Sequence, residues 1–374
     1  MTNAPGFSGL TPYAGPLSEE QILARFRAVA AAGALRHALP ERFGGFGDGF
    51  HALYRTHRTL GKASRDPGLM LAVNAHLWGM AFPILLYGDE SQKERFLPCL
   101  LSGQWLGGHA ITEPGCGSDV QAMTTRAERE GEGYQLNGEK RYITNVPLAD
   151  WLVVYAKLEG RITAFLVSCE DQGCRFLGEG QLNACRGGAT GSVRLEDCRI
   201  GPERLLGKAG AGTQMIQKAL ELERAFVFAS IAGIMEWQLE LAIRYSRERA
   251  SGGVHLGRHQ GIGHRIADMK LRLDTVNLWL RECARICDDG GRLCLASAQT
   301  KLYAAEAFLQ SSLDAVQIMG AAGLEMDAGL TELVQDALAG RLFSGSSEVQ
   351  KNIITALLGT GEGYRGRVKA ADAS

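Results

Sequence analysis

Neither sign of charge is in excess in this chain. Across 374 residues, 40 Lys and Arg stand against 41 Asp and Glu, a formal net charge of −1. Such a balance gives no drive toward nucleic acid or an anionic membrane. The nine cysteines are scattered and form no CxxC. Cys283 and Cys287 lie one helical turn apart with no histidine beside them. The pattern points to buried free thiols in a reducing, cytoplasmic setting rather than to a metal or redox centre. "MTNAPGFSGLTPYAGPLSEE" lacks a basic n-region and an apolar core, so no signal peptide is expected in it. The most apolar run, "LMLAVNAHLWGMAFPILLYG" (69–88), is interrupted by Asn74, His76 and Pro83. It reads as a buried core helix, not a membrane span.

Several catalytic signatures are missing too. Gly61-Lys62 and Gly207-Lys208 are each followed by alanine, so there is no Walker loop. No GxGxxG joins a strand to a helix, and HExxH and GxSxG are absent. Simple hydrolase and nicotinamide-dinucleotide readings lose their usual support.

What is present has an α, β, α order. From Ser18 to Gly103 apolar residues recur at helical spacing, with Ser18 and Asp89 as N-caps. The glycine-rich "ERFGGFGDGF" (41–50) reads as a loop between helices. From Trp105 to Leu206 short β-branched and aromatic runs alternate with turns. In "YQLNGEKRYIT" Asn137-Gly138 is the pair that signals a hairpin. Long helical periods return at roughly 211–250, 259–289, 293–319 and 328–358, as in a helical bundle. The expected class is α+β, with an N-terminal helical domain (1–104), a middle β domain (105–206) and a C-terminal four-helix bundle (207–374).

Two polar stretches stand out. "AITEPGCGSDVQAM" (110–123) is dense in glycine and hydroxyls, and "LNGEKRYITN" (136–145) sets Tyr142 two residues before Thr144. Backbone N–H groups flanked by hydroxyls suit a heteroaromatic ring edge or a phosphate. A third polar break, "RLFSGSSEVQKNI" (341–353), interrupts the last helical third.

Together with "PERFGGFGDG" (40–49), "GDESQKERFLPCLLSG" (88–103), "LEDCRIGPERLLGKAGAG" (195–212), "ELERAFVFASIAG" (221–233), "HQGIGHRIADM" (259–269), "QIMGAAG" (317–323) and "SGSSEVQKNII" (344–354), these stretches resemble the acyl-CoA dehydrogenase flavoprotein family over nearly the whole chain. The resemblance implies FAD held between the β domain and the bundle, a homo-oligomer (tetramer or dimer) and an acyl thioester against the flavin. It also implies an electron acceptor such as an electron-transfer flavoprotein. By the same resemblance His109, Ile111, Thr112 and Ser118 line the flavin ring, Tyr142 stacks near it where the family usually has tryptophan, and Thr144 hydrogen-bonds it. Arg249 and Ser251 match pyrophosphate contacts from a neighbouring subunit, followed by Gln260. Gln317 and Gly320 match the adenosine side, and Ser346 and Glu348 match flavin-proximal positions. Ser118, Arg224, Ser344 and Gly345 fall at the substrate. Taken singly, these residues have plainer readings: Thr112 and Thr144 as turn caps, Gln317 as a solvated helix residue.

The implied reaction is α,β-dehydrogenation: a carboxylate removes the α-proton while a hydride leaves the β-carbon. Many family members place that glutamate immediately before the glycine of the 344–354 motif, where this chain has Ser344. In the isovaleryl- and long-chain-type branches the base comes instead from an L-E-R motif on another helix. Leu222-Glu223-Arg224 matches it, so Glu223 is the expected base. A plain reading makes Glu223 a surface or ion-paired residue. The alternative function is a flavin-dependent monooxygenase on the same fold. Gly252 in place of phenylalanine, Gln335 in place of arginine and Ala321 in place of glycine are departures around the cofactor contacts. A nucleic-acid-protecting member would want a basic C-terminal patch, for which "GYRGRVKAADAS" is too slight. The thioester carrier, CoA or a carrier protein, is not legible.

Overall fold

The computed structural model describes residues 6, 7, 10–178 and 182–361. The chain opens with helices α1 (Glu19–Ala31), α2 (Gly49–Ser64), α3 (Pro67–His76), α4 (Phe82–Tyr87) and α5 (Glu90–Leu101). Ser18 and Asp89 cap α1 and α5 in reciprocal capping boxes with Gln21 and Gln92, which satisfies two orphan donors at each start. Asp66 caps α3, with Pro67 in the first turn. Between α3 and α4 the helix widens into a π segment, Leu77–Ala81. The apolar run expected as a core helix is one, since 83% of its most apolar window is buried inside the fold.

Among the described residues eight strands follow: β1 (Gly107–Ala110), β2 (Arg126–Glu130), β3 (Gly133–Thr144), β4 (Trp151–Leu158), β5 (Arg161–Ser168), β6 (Cys174–Leu177), β7 (Thr190–Ile200) and β8 (Leu205–Leu206). They form one sheet in the order β6-β7-β3-β2-β4-β5-β8, with β1 parallel to β4 and His109 opposite Val153. The Asn137-Gly138 hairpin expectation is overturned. That pair lies inside β3, and the β2–β3 turn is at Gly131-Glu132, where Glu130 pairs with Gly133. Asn137 instead takes the N–H of Asp197 at 2.8 Å, and the β3–β7 register slips between Leu136 and Gly138. The asparagine serves a bulge, not a turn. A second slip, between Lys140 and Ile143, spans Tyr142, which takes φ +58 and is half exposed.

The C-terminal part is built on α6 (Gly212–Glu248), a short β9–β10 hairpin (Ala250–Ser251 and Val254–His255), α7 (Gln260–Asp288), α8 (Cys294–Met319), α9 (Leu330–Gly340) and α10 (Ser347–Leu357). The helical period over 328–358 runs as two helices, parted at residues 341–346 inside the polar break read from the sequence. Ser344 and Gly345 take positive φ of 56 and 89, and Ser346 caps α10. Helix α6 crosses α2 at bare backbone: a Cβ on Gly61 would lie 1.8 Å from Ser230 O, and one on Gly233 1.9 Å from Arg58 O. Arg58 and Lys62 close the crossing by pairing with Glu236 at 2.6 and 3.0 Å. This contact fixes α6, and with it the register of Leu222-Glu223-Arg224, against the N-terminal helices.

Candidate active site

The two polar stretches of the sequence meet at a buried ion pair. Lys140 of β3, fully buried, donates to Glu113 Oε1 at 2.9 Å and to Ile111 O at 3.1 Å. Glu113 also takes Thr124 N, Thr124 Oγ1 and Thr125 N, and Arg141 N donates to Thr112 O. Burial pushes the Glu113 carboxyl up, but Thr124, Thr125 and Lys140 outweigh it and hold it at about 2. Burial lowers the Lys140 ammonium to about 8 against the opposing pull of Glu113. Asn145, which ends the second stretch, donates to Ala72 O and Gly107 O at 2.9 Å each and docks this corner onto α3 and β1.

The cleft beside this corner has a volume of about 480 Å³, within the range of small-molecule sites. His109, Ile111, Thr112 and Ser118 line it from β1 and its loop, Tyr142 and Thr144 from β3, and Ser344, Gly345 and Ser346 from the helix break. Helix α6 contributes Glu223 and Arg224. The surface reading of Glu223 fails, since it is only 4% exposed. Its neighbour Glu221 is the ion-paired one, with Lys218 at 2.9 Å.

Ser344, at the position where the resemblance puts the usual glutamate, touches Glu223. Ser344 Oγ donates to Glu223 Oε1 at 2.6 Å, and Arg224 Nε donates to Ser344 O at 2.9 Å. Gln350 Nε2 holds Gly345 O at 2.8 Å from the other side. Glu223 Oε2 is buried without a partner and stands 3.7 Å from His109 Nε2; His109 Nδ1 is likewise buried and unpartnered. Burial lowers the His109 imidazole, with Glu223 opposing. Orphaned buried polar atoms at a cleft wall, beside three hydroxyl-bearing side chains (Thr112, Ser118 and Thr144), suit a heteroaromatic cofactor and a polar substrate.

The other expected contacts lie elsewhere. Arg249 ends α6, Ser251 is in the β9–β10 hairpin and Gln260 starts α7, all exposed. Gln317 lines a separate groove, and Gly320 caps α8 at φ +62. Glu348 sits in the first turn of α10, exposed and outside the cleft lining. The sequence reading missed Leu71 and Ala75 of α3 and the segment carrying Leu182, Cys185 and Thr190, which also line the cleft. Their only signal was membership of an apolar run and a loop. Among the described residues no group of three or more His, Cys, Asp or Glu could hold a metal ion, and all nine cysteines are free.

Three family descriptions match in order: acyl-CoA dehydrogenase N-terminal domain over 9–104, middle domain over 108–198 and C-terminal domain over 210–359. The chain belongs to the acyl-CoA dehydrogenase family. The L-prolyl-[peptidyl-carrier protein] dehydrogenase of Pseudomonas fluorescens is 35% identical over 86% of this chain and 87% of its own. Mitochondrial isovaleryl-CoA dehydrogenase of Pongo abelii is 32% identical over 86% and 77%. The solved FAD complex of PigA superposes with TM-score 0.87 at 30% identity, covering 92% of this chain and 90% of that one. This acyl-CoA dehydrogenase family member is an FAD-dependent oxidoreductase that dehydrogenates an acyl thioester, and the cleft residues fit that cofactor.

Proposed function

We propose that Glu223 is the base that takes the α-proton of the acyl thioester. The observation that carries this is the buried carboxylate with one oxygen held by Ser344 and the other unpartnered in the cleft. Bound FAD supplies the acceptor for the hydride that leaves the β-carbon. Ser344 Oγ–H holds Oε1, so Oε2 is the oxygen left to receive the proton. Arg224 and Gln350 pin the carbonyls of Ser344 and Gly345 and keep that wall in place. Thr112, Ser118 and Thr144 offer hydroxyls to the flavin ring, Tyr142 its face, and His109, Ile111 and Ser346 the flanking walls.

The exposed group Arg249, Ser251 and Gln260 serves the cofactor of a neighbouring copy in a homo-oligomer, a dimer or tetramer. Gln317 and Gly320 serve the adenosine side, and Glu348 stands at the edge of the flavin site. An electron-transfer flavoprotein or similar acceptor reoxidises the enzyme, in a cytoplasmic setting that the nine unpaired cysteines favour. For the substrate carrier we favour a carrier protein over CoA, because the prolyl-carrier-protein relative is 35% identical against 32% for the isovaleryl-CoA enzyme. Anaerobic mixing of the yellow holoprotein with panels of acyl-carrier proteins and acyl-CoAs tests this. Bleaching of the flavin band by carrier-bound acyl groups, without added reductant, is the expected result. Bleaching by CoA esters alone reverses the carrier assignment. Turnover that requires oxygen and a separate flavin reductase contradicts dehydrogenation and restores the monooxygenase reading.

A further inference from the structure

The ring of His109 is seated with unusual care. It leaves β1 toward the π segment Leu77–Ala81, and a Cβ on Gly79 would come within 2.7 Å of its Cγ. The widened helix and the bare glycine make the space the imidazole occupies, and π segments recur where function demands a local departure from α geometry. From that seat Nε2 faces Glu223 Oε2 at 3.7 Å, and Oε2 and the imidazole Nδ1 are both buried without a protein partner.

The two tautomers are not equivalent. A buried N–H with no acceptor is the costlier orphan, and a buried lone pair the cheaper one. The proton therefore belongs on Nε2, toward the carboxylate, leaving Nδ1 as the empty acceptor. A separation of 3.7 Å is too long for a hydrogen bond, but catalytic contacts of this kind shorten when substrate closes the site. The surroundings supply little competition. The π segment brings no titratable side chain and β4 places Val153 opposite. Glu223 is the charged group acting on the ring, and the Arg224 guanidinium is turned to Ser344.

We propose that His109 is a positioning residue for the base: its Nε2–H is presented to Glu223 Oε2 and, with Ser344 on Oε1, holds the carboxylate aimed at the α-carbon. This role is separate from lining the flavin ring, and it rests on Glu223 being the base.

The test measures the pH dependence of anaerobic flavin bleaching by a saturating acyl thioester in wild type, His109→Ala and His109→Gln holoenzyme. Losing a donor to a carboxylate favours its protonated form, so the acid limb of His109→Ala moves up by roughly one pH unit. The amide of His109→Gln restores a donor and brings the limb back toward wild type. Gly79→Ala, which displaces the ring without changing its chemistry, moves the limb in the same direction as His109→Ala. A second readout needs no turnover: in holoenzyme labelled at histidine Cε1, the NMR titration midpoint of His109 falls in Glu223→Gln, where the carboxylate that raises it is gone. Superimposable acid limbs for wild type and His109→Ala, or an unmoved His109 midpoint in Glu223→Gln, overturn the proposal. Glu223→Gln bleaching is followed in the same series. Bleaching at the wild-type rate means the base assignment has failed, whereas an inert Glu223→Gln with an unmoved His109→Ala limb means this inference alone has failed.

Discussion

Ser344 ties the site together at the scale of single residues. Its hydroxyl holds Glu223 at 2.6 Å and its carbonyl takes Arg224 at 2.9 Å, so two adjacent residues of α6 are fixed by one residue of the helix break. Ser344→Ala removes a hydrogen bond to a charged group, which contributes roughly 1.5–3 kcal/mol. We expect stopped-flow bleaching to slow about tenfold, corresponding to ~1.4 kcal/mol at the barrier. The Lys140–Glu113 pair is the other residue-scale device. Lys140→Met strands a buried carboxylate and should lower stability by roughly 3–5 kcal/mol in denaturant titration, while adding Glu113→Leu recovers much of it. The depressed Glu113 carboxyl gives stability that is fully present above its ordinary 4.5 and lost as pH falls toward about 2. That Glu223 and the loop residues would share one cleft could be read ahead of the structure, because the motif order and the missing carboxylate at Ser344 pointed to them. The burial of Lys140 could not, since nothing in "GEKRYIT" separates its lysine from a solvated one until β1 and its loop are folded over it.

At the scale of elements, two contacts position the cleft. The α2–α6 crossing leaves no room for a side chain, so Gly61→Ala, with a Cβ 1.8 Å from Ser230 O, should cost roughly 1–3 kcal/mol and shift Glu223 relative to His109. Fluorescence-monitored unfolding measures the first effect. Asp336 of α9 takes the Cys185 N–H at 2.5 Å, which anchors the segment that lines the cleft. Burial raises its carboxyl from 3.8 to about 7, with the Cys185 N–H opposing. A carboxyl raised on folding binds more protons in the native state, so stability declines as pH rises from about 4 to 7 and then levels. Asp336→Asn should flatten that slope in thermal melts run across the interval. Helix periodicity made α6, α7 and α8 readable to within a residue or two. The α9–α10 break was also readable, from the polar run 341–353, but the β3 bulge was not, because Asn-Gly favours a turn only when both residues are free to form one. Here Asn137 is committed to the Asp197 N–H and Gly138 is packed against Thr125.

At the scale of the whole molecule, the expected FAD contacts fall on separate surfaces. The residues expected at the ring line one cleft of a single chain, whereas Arg249, Ser251 and Gln260 are exposed at the far end of α6 and the start of α7. If those residues reach a neighbour's cofactor, Arg249→Ala should release FAD on dilution or dialysis while the cleft and the α2–α6 crossing stay intact. Because a ligand stabilises the state it binds by mass action, the melting temperature of wild type should rise with added FAD more than that of Arg249→Ala. A single sequence carried this arrangement only through family resemblance, since no periodicity or local pattern says which copy a side chain will serve.

On the proposed mechanism a carboxylate on α6, not on the break before α10, removes the α-proton. Anaerobic bleaching of Glu223→Gln holoenzyme by a substrate thioester that bleaches the wild type tests it most directly. Glutamine keeps the shape and a partner for Ser344 but cannot accept the proton, so bleaching should slow by roughly 10²–10⁴-fold with the flavin spectrum unchanged. Bleaching at the wild-type rate would mean that Glu223 is not the base.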